Sequence, residues 1–139
     1  MIRLYLDSSA LVKRSVVEAE SDPLEEYLAA ARDSGAILIS SALSWIEVGR
    51  VHRSRMDTEH TAPFTLNDLL ESAFDGIAEA PVTAQVTALA RRIGPPTLRS
   101  LDAIHLATAT LIDADVVVAY DRRMLTTAKE LGFRTESPH

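Results

Sequence analysis

SLDAIHLATATLIDADVVVAYD, residues 100–121, reads as a helix, a short turn and a strand that runs out onto an acid. In the helical part, Ser100 to Asp113, the apolar residues Leu101, Ala103, Ile104, Leu106, Ala107, Ala109, Leu111 and Ile112 go almost all the way round. A helix without a polar face is buried, with other elements packed on every side, and its alanines let those neighbours come close. Asp102 nevertheless sits in the first turn, where a carboxylate costs free energy unless something compensates it. The free N–H groups and dipole of the helix start supply part of that compensation, so a plain capping role is one reading. The Asp115–Ala119 run behind it is the clearest strand in the chain, and Asp121 follows at once.

Working outward, the rest of the chain alternates in the same way. Ile2–Leu6 is a β-prone alternation ended by Asp7, with Ser8 and Ser9 as candidate caps for a short helix through Lys13. Asp22-Pro23 with Glu25 opens a second helix that Gly35 stops, and Ala36–Ile39 is a buried strand. Ser40 and Ser41 cap a helix from Ala42 to about Arg55, and a polar loop lies within Met56–Pro63. Thr65 and Asp68 start a further helix, Gly76–Glu79 is a weak strand ended by Pro81, and Val82–Ile93 is helical up to Gly94-Pro95-Pro96. Arg122–Leu131 is the last helix, and Phe133–Thr135 makes an edge strand. The expected fold class is α/β: a parallel sheet of about five strands with helices on both faces, in one domain spanning 1–139.

Composition narrows the function classes. The chain has 139 residues, 47% apolar and 24% charged, like an ordinary globular protein. It has no cysteine, which removes disulfides and thiolate metal sites and fits a reducing cytoplasm. No transmembrane span or secretion signal is read. The net charge of −6 argues against a domain that grips nucleic acid by bulk positive charge, but not against an acidic site that holds metal.

In open α/β sheets the functional groups gather beyond the carboxyl ends of the strands. Asp7 and Asp121 each follow a strand directly, and on neighbouring strands they would share a cleft. Glu47 lies about two turns into the helix after the second strand, and Asp102 opens the helix that feeds the Asp121 strand. Each has a bland alternative: Asp7 and Asp121 as helix caps, Glu47 as a surface acid paired with Arg50. The four together carry the argument. Carboxylates crowded at one rim must protonate or take up a cation, and oxygen donors without thiolate or a histidine cluster favour Mg²⁺ or Mn²⁺. The chemistry expected is phosphodiester hydrolysis, one ion activating water and a second steadying the leaving oxygen.

Four segments, Tyr5–Lys13, Ser41–Val48, Leu101–Ala109 and Ala119–Arg123, together resemble PIN-domain proteins, and more narrowly the VapC toxins of toxin–antitoxin pairs. The resemblance spans essentially the whole chain, with Asp-Ala-Ile-His-Leu-Ala-Thr-Ala as its most specific piece. It implies a PIN-like fold and a metal-dependent endoribonuclease acting on RNA, with Asp7, Glu47, Asp102 and Asp121 as catalytic and metal-binding residues. It also implies that Ser9 steadies the first aspartate, and that the partners are a small VapB-like antitoxin and a second copy of the chain. Where some PIN nucleases carry a further acid after the fourth, this chain has Arg123.

Arg122, Arg123 and Arg50 are candidate contacts for RNA phosphates. The segment Arg50, His52, Arg53, Arg55 reads equally as a phosphate-facing patch or a solvated helix end. His105, one turn from Asp102, is read as structural, and Trp45 as core or dimer interface. Three rival functions stand beside the toxin: a PIN nuclease in housekeeping RNA processing, a phospho-accepting receiver-like domain, and a PIN fold that binds without cleaving. A haloacid-dehalogenase-type phosphatase needs an aspartate where Ser9 stands.

Overall fold

Leu4 and Leu6 lie on one side of the first strand and Tyr5 on the other, and all three are sealed from solvent. A strand that is apolar on both faces belongs in the middle of a covered parallel sheet, and a computed structural model puts it there. The structure describes residues 1–59 and 65–139, with no side-chain description for 57–59. Five strands, β1 (Arg3–Leu6), β2 (Ile37–Ser41), β3 (Ala78–Ala80), β4 (Val116–Val118) and β5 (Arg134–Glu136), pair in the order β3-β2-β1-β4-β5, every pair parallel. Leu4 is in register with both Leu38 and Val116, so β1 is flanked by β2 and β4. The expected parallel α/β sheet is present, with the Phe133–Thr135 segment at its edge, shifted by one residue.

Seven helices join the strands: α1 (Ser8–Val12), α2 (Ser21–Asp33), α3 (Ala42–Glu59), α4 (Leu66–Phe74), α5 (Ala84–Ala90), α6 (Ser100–Leu111) and α7 (Arg122–Glu130). The strand alternation sorts the core into two clusters. Leu4, Leu6, Val116 and Val118 face Leu11, Leu24, Leu28 and Val48 on one side. Tyr5, Val117 and Ala119 face Leu106, Ala109, Met124 and Ala128 on the other. Helices therefore cover both faces, as the pattern required. Among the described residues no helix is long and apolar enough to cross a membrane.

Several local expectations need correcting. α1 is capped by Asp7, not by Ser8 or Ser9, because the Asp7 carboxylate accepts from the Ala10 N–H. α2 begins at Ser21, ahead of the Asp22-Pro23 signal, and its N-cap Glu20 makes no side-chain cap bond. Here Ser21 is buried, its hydroxyl donating to the Lys13 carbonyl and accepting from the Glu18 N–H, so tertiary contacts fix the start. α3 continues past Arg55 to Glu59, and the rest of the polar 56–63 stretch, from residue 60, lies outside the described residues. α5 is confined to seven residues, from its Thr83 cap to Ala90. α6 is not covered on every side, since Leu101 and Leu111 are exposed. Trp45 packs against the first core cluster and stacks on Phe74 at 3.7 Å between ring centroids, which makes it a core residue.

Candidate active site

Where β1 and β4 run out side by side, each chain continues into an aspartate and then a helix. Asp7 follows β1 and is 4% exposed. Its Oδ1 accepts from the Ala10 N–H at 3.1 Å and from the Ser9 hydroxyl at 2.6 Å. Ser9 Oγ in turn accepts from the Tyr120 N–H at 3.0 Å, so this one hydroxyl ties the ends of β1 and β4 together. Asp121 repeats the arrangement one strand along, its Oδ1 accepting from the N–H groups of Arg123 and Met124. Both acids do cap the helices after them, and in each the cap engages one oxygen. Among the described residues the other oxygen has no hydrogen-bond partner.

Asp102 comes from the first turn of α6 but is not its cap; the N-cap position is Arg99, without a side-chain bond. Its carboxylate makes no hydrogen bond among the described residues. Glu47 reaches in from α3 and pairs with His105, not with Arg50: His105 Nε2 lies 2.6 Å from Glu47 Oε1. The other ring nitrogen, Nδ1, is 2.6 Å from the Tyr5 hydroxyl. An ionised carboxylate only accepts, so Nε2 carries a proton, and in the neutral ring Nδ1 accepts from the Tyr5 O–H. Burial, with the nearby Asp7 charge, pushes the Tyr5 phenol well above its ordinary value, which keeps that O–H in place. His105 is thus a buried strut between β1, α3 and α6. A lone histidine beside an acidic site reads as structural, but nothing local in the sequence named Tyr5 or Glu47 as its partners.

The charges act on one another. Burial raises the Asp7 carboxyl above its ordinary value and Glu47 adds to the rise, against the lowering influence of His105, Ser9 and the Ala10 N–H. Asp102 is also raised, by burial first and then by Asp121 and Glu47, while His105 and Arg99 pull it down. Glu47 is thus within electrostatic reach of both Asp7 and Asp102, and Asp121 within reach of Asp102. Of the candidate phosphate contacts, Arg122 and Arg123 are exposed in the first turn of α7, and Arg50 is exposed on α3. His52 is not part of a cationic patch: it is 2% exposed and hydrogen-bonded to Ser15.

Among the described residues no three acids or histidines already stand in a closed metal-holding arrangement. The donor set nevertheless suits a hard divalent cation, because each of the four acids keeps an oxygen free of protein hydrogen bonds and two of them are destabilised as anions. An open set of few carboxylates completed by water is how Mg²⁺ is usually held. A receiver-like pocket would need a lysine beside these acids. Lys13 is instead bonded to Glu18 and Glu20, and Lys129 lies in the last turn of α7.

The PIN-domain family profile matches residues 4–130. Ribonuclease VapC47 of Mycobacterium tuberculosis (strain CDC 1551 / Oshkosh) is 39% identical over 137 residues, covering 97% of this chain and 96% of that protein. Ribonuclease VapC46 of Mycobacterium tuberculosis (strain ATCC 25618 / H37Rv) is 37% identical over 140 residues, covering 99% of each. Among solved structures, VapBC2 from Rickettsia felis, bound to a DNA fragment from its promoter, superposes with a TM-score of 0.74 at 12% identity. The match covers 99% of this chain and 100% of that one, a likeness of fold alone.

Proposed function

The chain belongs to the PIN-domain family, in its VapC ribonuclease branch, and from that membership we propose that it is a metal-dependent endoribonuclease, the toxin of a toxin–antitoxin pair. The observation that carries the reading is that the carboxyls of Asp7 and Asp102 are both raised by burial and by neighbouring acids, Glu47 acting on both and Asp121 on Asp102. Asp7, Asp102, Glu47 and Asp121 would hold Mg²⁺ or Mn²⁺. When bound, the cation supplies Lewis acidity at the phosphodiester and lowers the pKa of water.

The chain's own residues set the stage for that chemistry. Helix-start N–H groups fix Asp7 and Asp121 with one oxygen turned away from the cap. Ser9 holds Asp7 and the β4 end in one geometry. His105 fixes Glu47 from behind, and Tyr5 fixes His105. Such support keeps a catalytic group from swinging out of its working position. Arg122, Arg123 and Arg50 are cations for substrate phosphates along the same rim.

The proposed partners are RNA, a small VapB-like antitoxin and a second copy of the chain. Purified protein should cleave RNA with Mg²⁺ or Mn²⁺, and Asp7→Asn or Asp102→Asn should lower the rate at least a hundredfold with an unchanged circular dichroism spectrum. Cleavage that persists in excess chelator would sink the metal mechanism. A neighbouring reading frame for a short protein that neutralises the activity separates the toxin from a housekeeping nuclease.

A further inference from the structure

Beside Asp102 the surface sinks into a cavity of about 510 Å³ between the 95–99 turn, the start of α6 and the length of α7. Arg99 and Arg123 both line it, one from each helix start. Among the described residues neither guanidinium makes a hydrogen bond or a close ion pair, although Arg99 lies near enough to Asp102 to pull its carboxyl down. The acids on the same wall are Asp102, already part of the acidic rim, and Glu130. Leu98 and Thr127 line it as well, and both also pack toward Gly94, where a Cβ would stand 3.0 Å from Leu98 Cδ2 and from the Thr127 methyl. Gly94 also has φ +71°, so an l-side chain at that position would be strained as well as crowded.

A larger cavity among the described residues, about 950 Å³, has the opposite character. It is lined by Asp22, Glu25, Asp68, Glu71 and Asp75, and its Lys13 and Arg14 are already in ion pairs. A polyanion is repelled there. Beside Asp102, by contrast, two guanidinium forks without close ion pairs line one cavity with Leu98 and Thr127, next to an acid assigned to the phosphodiester. That combination matches a nucleotide: a phosphate for the forks and a flat base against Leu98 and Thr127.

We propose that this cavity is the subsite for the RNA nucleotide adjacent to the cleaved bond, with Arg99 and Arg123 on its phosphate and Leu98 and Thr127 under its base. The inference rests on the ribonuclease reading above. It adds Arg99, which the sequence patterns did not single out, and separates Arg123 from Arg122 and Arg50, which do not line the cavity.

The test measures binding of a short fluorescein-labelled single-stranded RNA to full-length Asp7→Asn protein, with and without Arg99→Gln, Arg123→Gln or, as a charge control outside this cavity, Arg92→Gln. Each cavity variant should weaken binding about tenfold at low salt. Each should also flatten the plot of log affinity against log salt by about 0.7, the slope of one lost phosphate contact on a single strand. Arg99→Lys should restore the salt slope but not the full affinity, because it keeps the charge and loses the fork. An equal loss with Arg92→Gln would reduce the effect to diffuse charge and overturn the subsite. Unchanged binding in both cavity variants, while the wild-type chain cleaves RNA, would overturn it and leave the nuclease intact. If the wild-type chain neither binds nor cleaves RNA with either metal, the ribonuclease reading falls first and the subsite with it.

Discussion

Asp102 shows how one residue carries a stability signature of its proposed role. Its folded carboxyl is raised above the ordinary 3.8 by burial and by Asp121. A group that binds its proton more tightly folded than unfolded stabilises the fold below its unfolded pKa and loses that contribution as pH rises through the folded value. At neutral pH and without divalent cations, the ionised Asp102 is therefore a net cost. Asp102→Asn should raise the melting temperature of the metal-free protein at neutral pH, and the gain should shrink to nothing as pH falls below about 3.8. A calorimetric pH series with wild type and variant checks this; a variant less stable at neutral pH would contradict the repulsion. The same residue thus trades stability for a site, as functional residues often do.

Among the elements, the strut formed by Tyr5, His105 and Glu47 links β1, α6 and α3 through two bonds of 2.6 Å. Replacing His105 by alanine strands a buried phenol and frees Glu47, and should cost about 1–3 kcal/mol in urea denaturation. A change near zero would mean that water replaces the ring without loss. This strut was beyond the sequence because it joins residues 58 and 100 positions apart, and no local pattern encodes such a meeting. The strands and most helices were legible, because β1 and β4 are apolar on both faces and Thr65 with Asp68 forms a capping box whose reciprocal bonds are present. Helix starts were read less well where tertiary contacts overrode local signals: Ser21 buries its hydroxyl ahead of Pro23, and Asp7 takes the cap that the following serines were expected to supply. Asp7, Asp102 and Asp121 were legible as residues following strands or opening a helix, and Glu47 only as an acid inside the helix after the second strand. Their convergence followed only once β1 and β4 were neighbours.

At the scale of the whole molecule, the net charge of −6 includes Asp7 and Asp102, whose carboxyls are held above their ordinary values by burial and neighbouring acids. A ligand that binds only the folded state stabilises it by about 2.7 kcal/mol at a hundredfold excess over its dissociation constant. Saturating Mg²⁺ or Mn²⁺ should accordingly raise the melting temperature by several degrees, and Asp102→Asn should remove most of that rise. Differential scanning fluorimetry with matched ionic strength decides it, and an equal shift in the variant would point to non-specific cation binding.

The shared end of β1 and β4 has a further consequence, in the history open to such a chain. At Asp7 and Asp121 the carboxylate that starts a helix is the one proposed to do the chemistry, so architecture and activity hang on a single side chain. An alanine there removes the helix cap and, on the proposed role, the catalytic carboxylate together. Asparagine keeps an oxygen for the cap while giving up the charge, and it lies one base change from either aspartate codon. A lineage that sheds the activity but keeps the protein therefore has a narrow exit, and asparagine at these two positions is the mark it would leave.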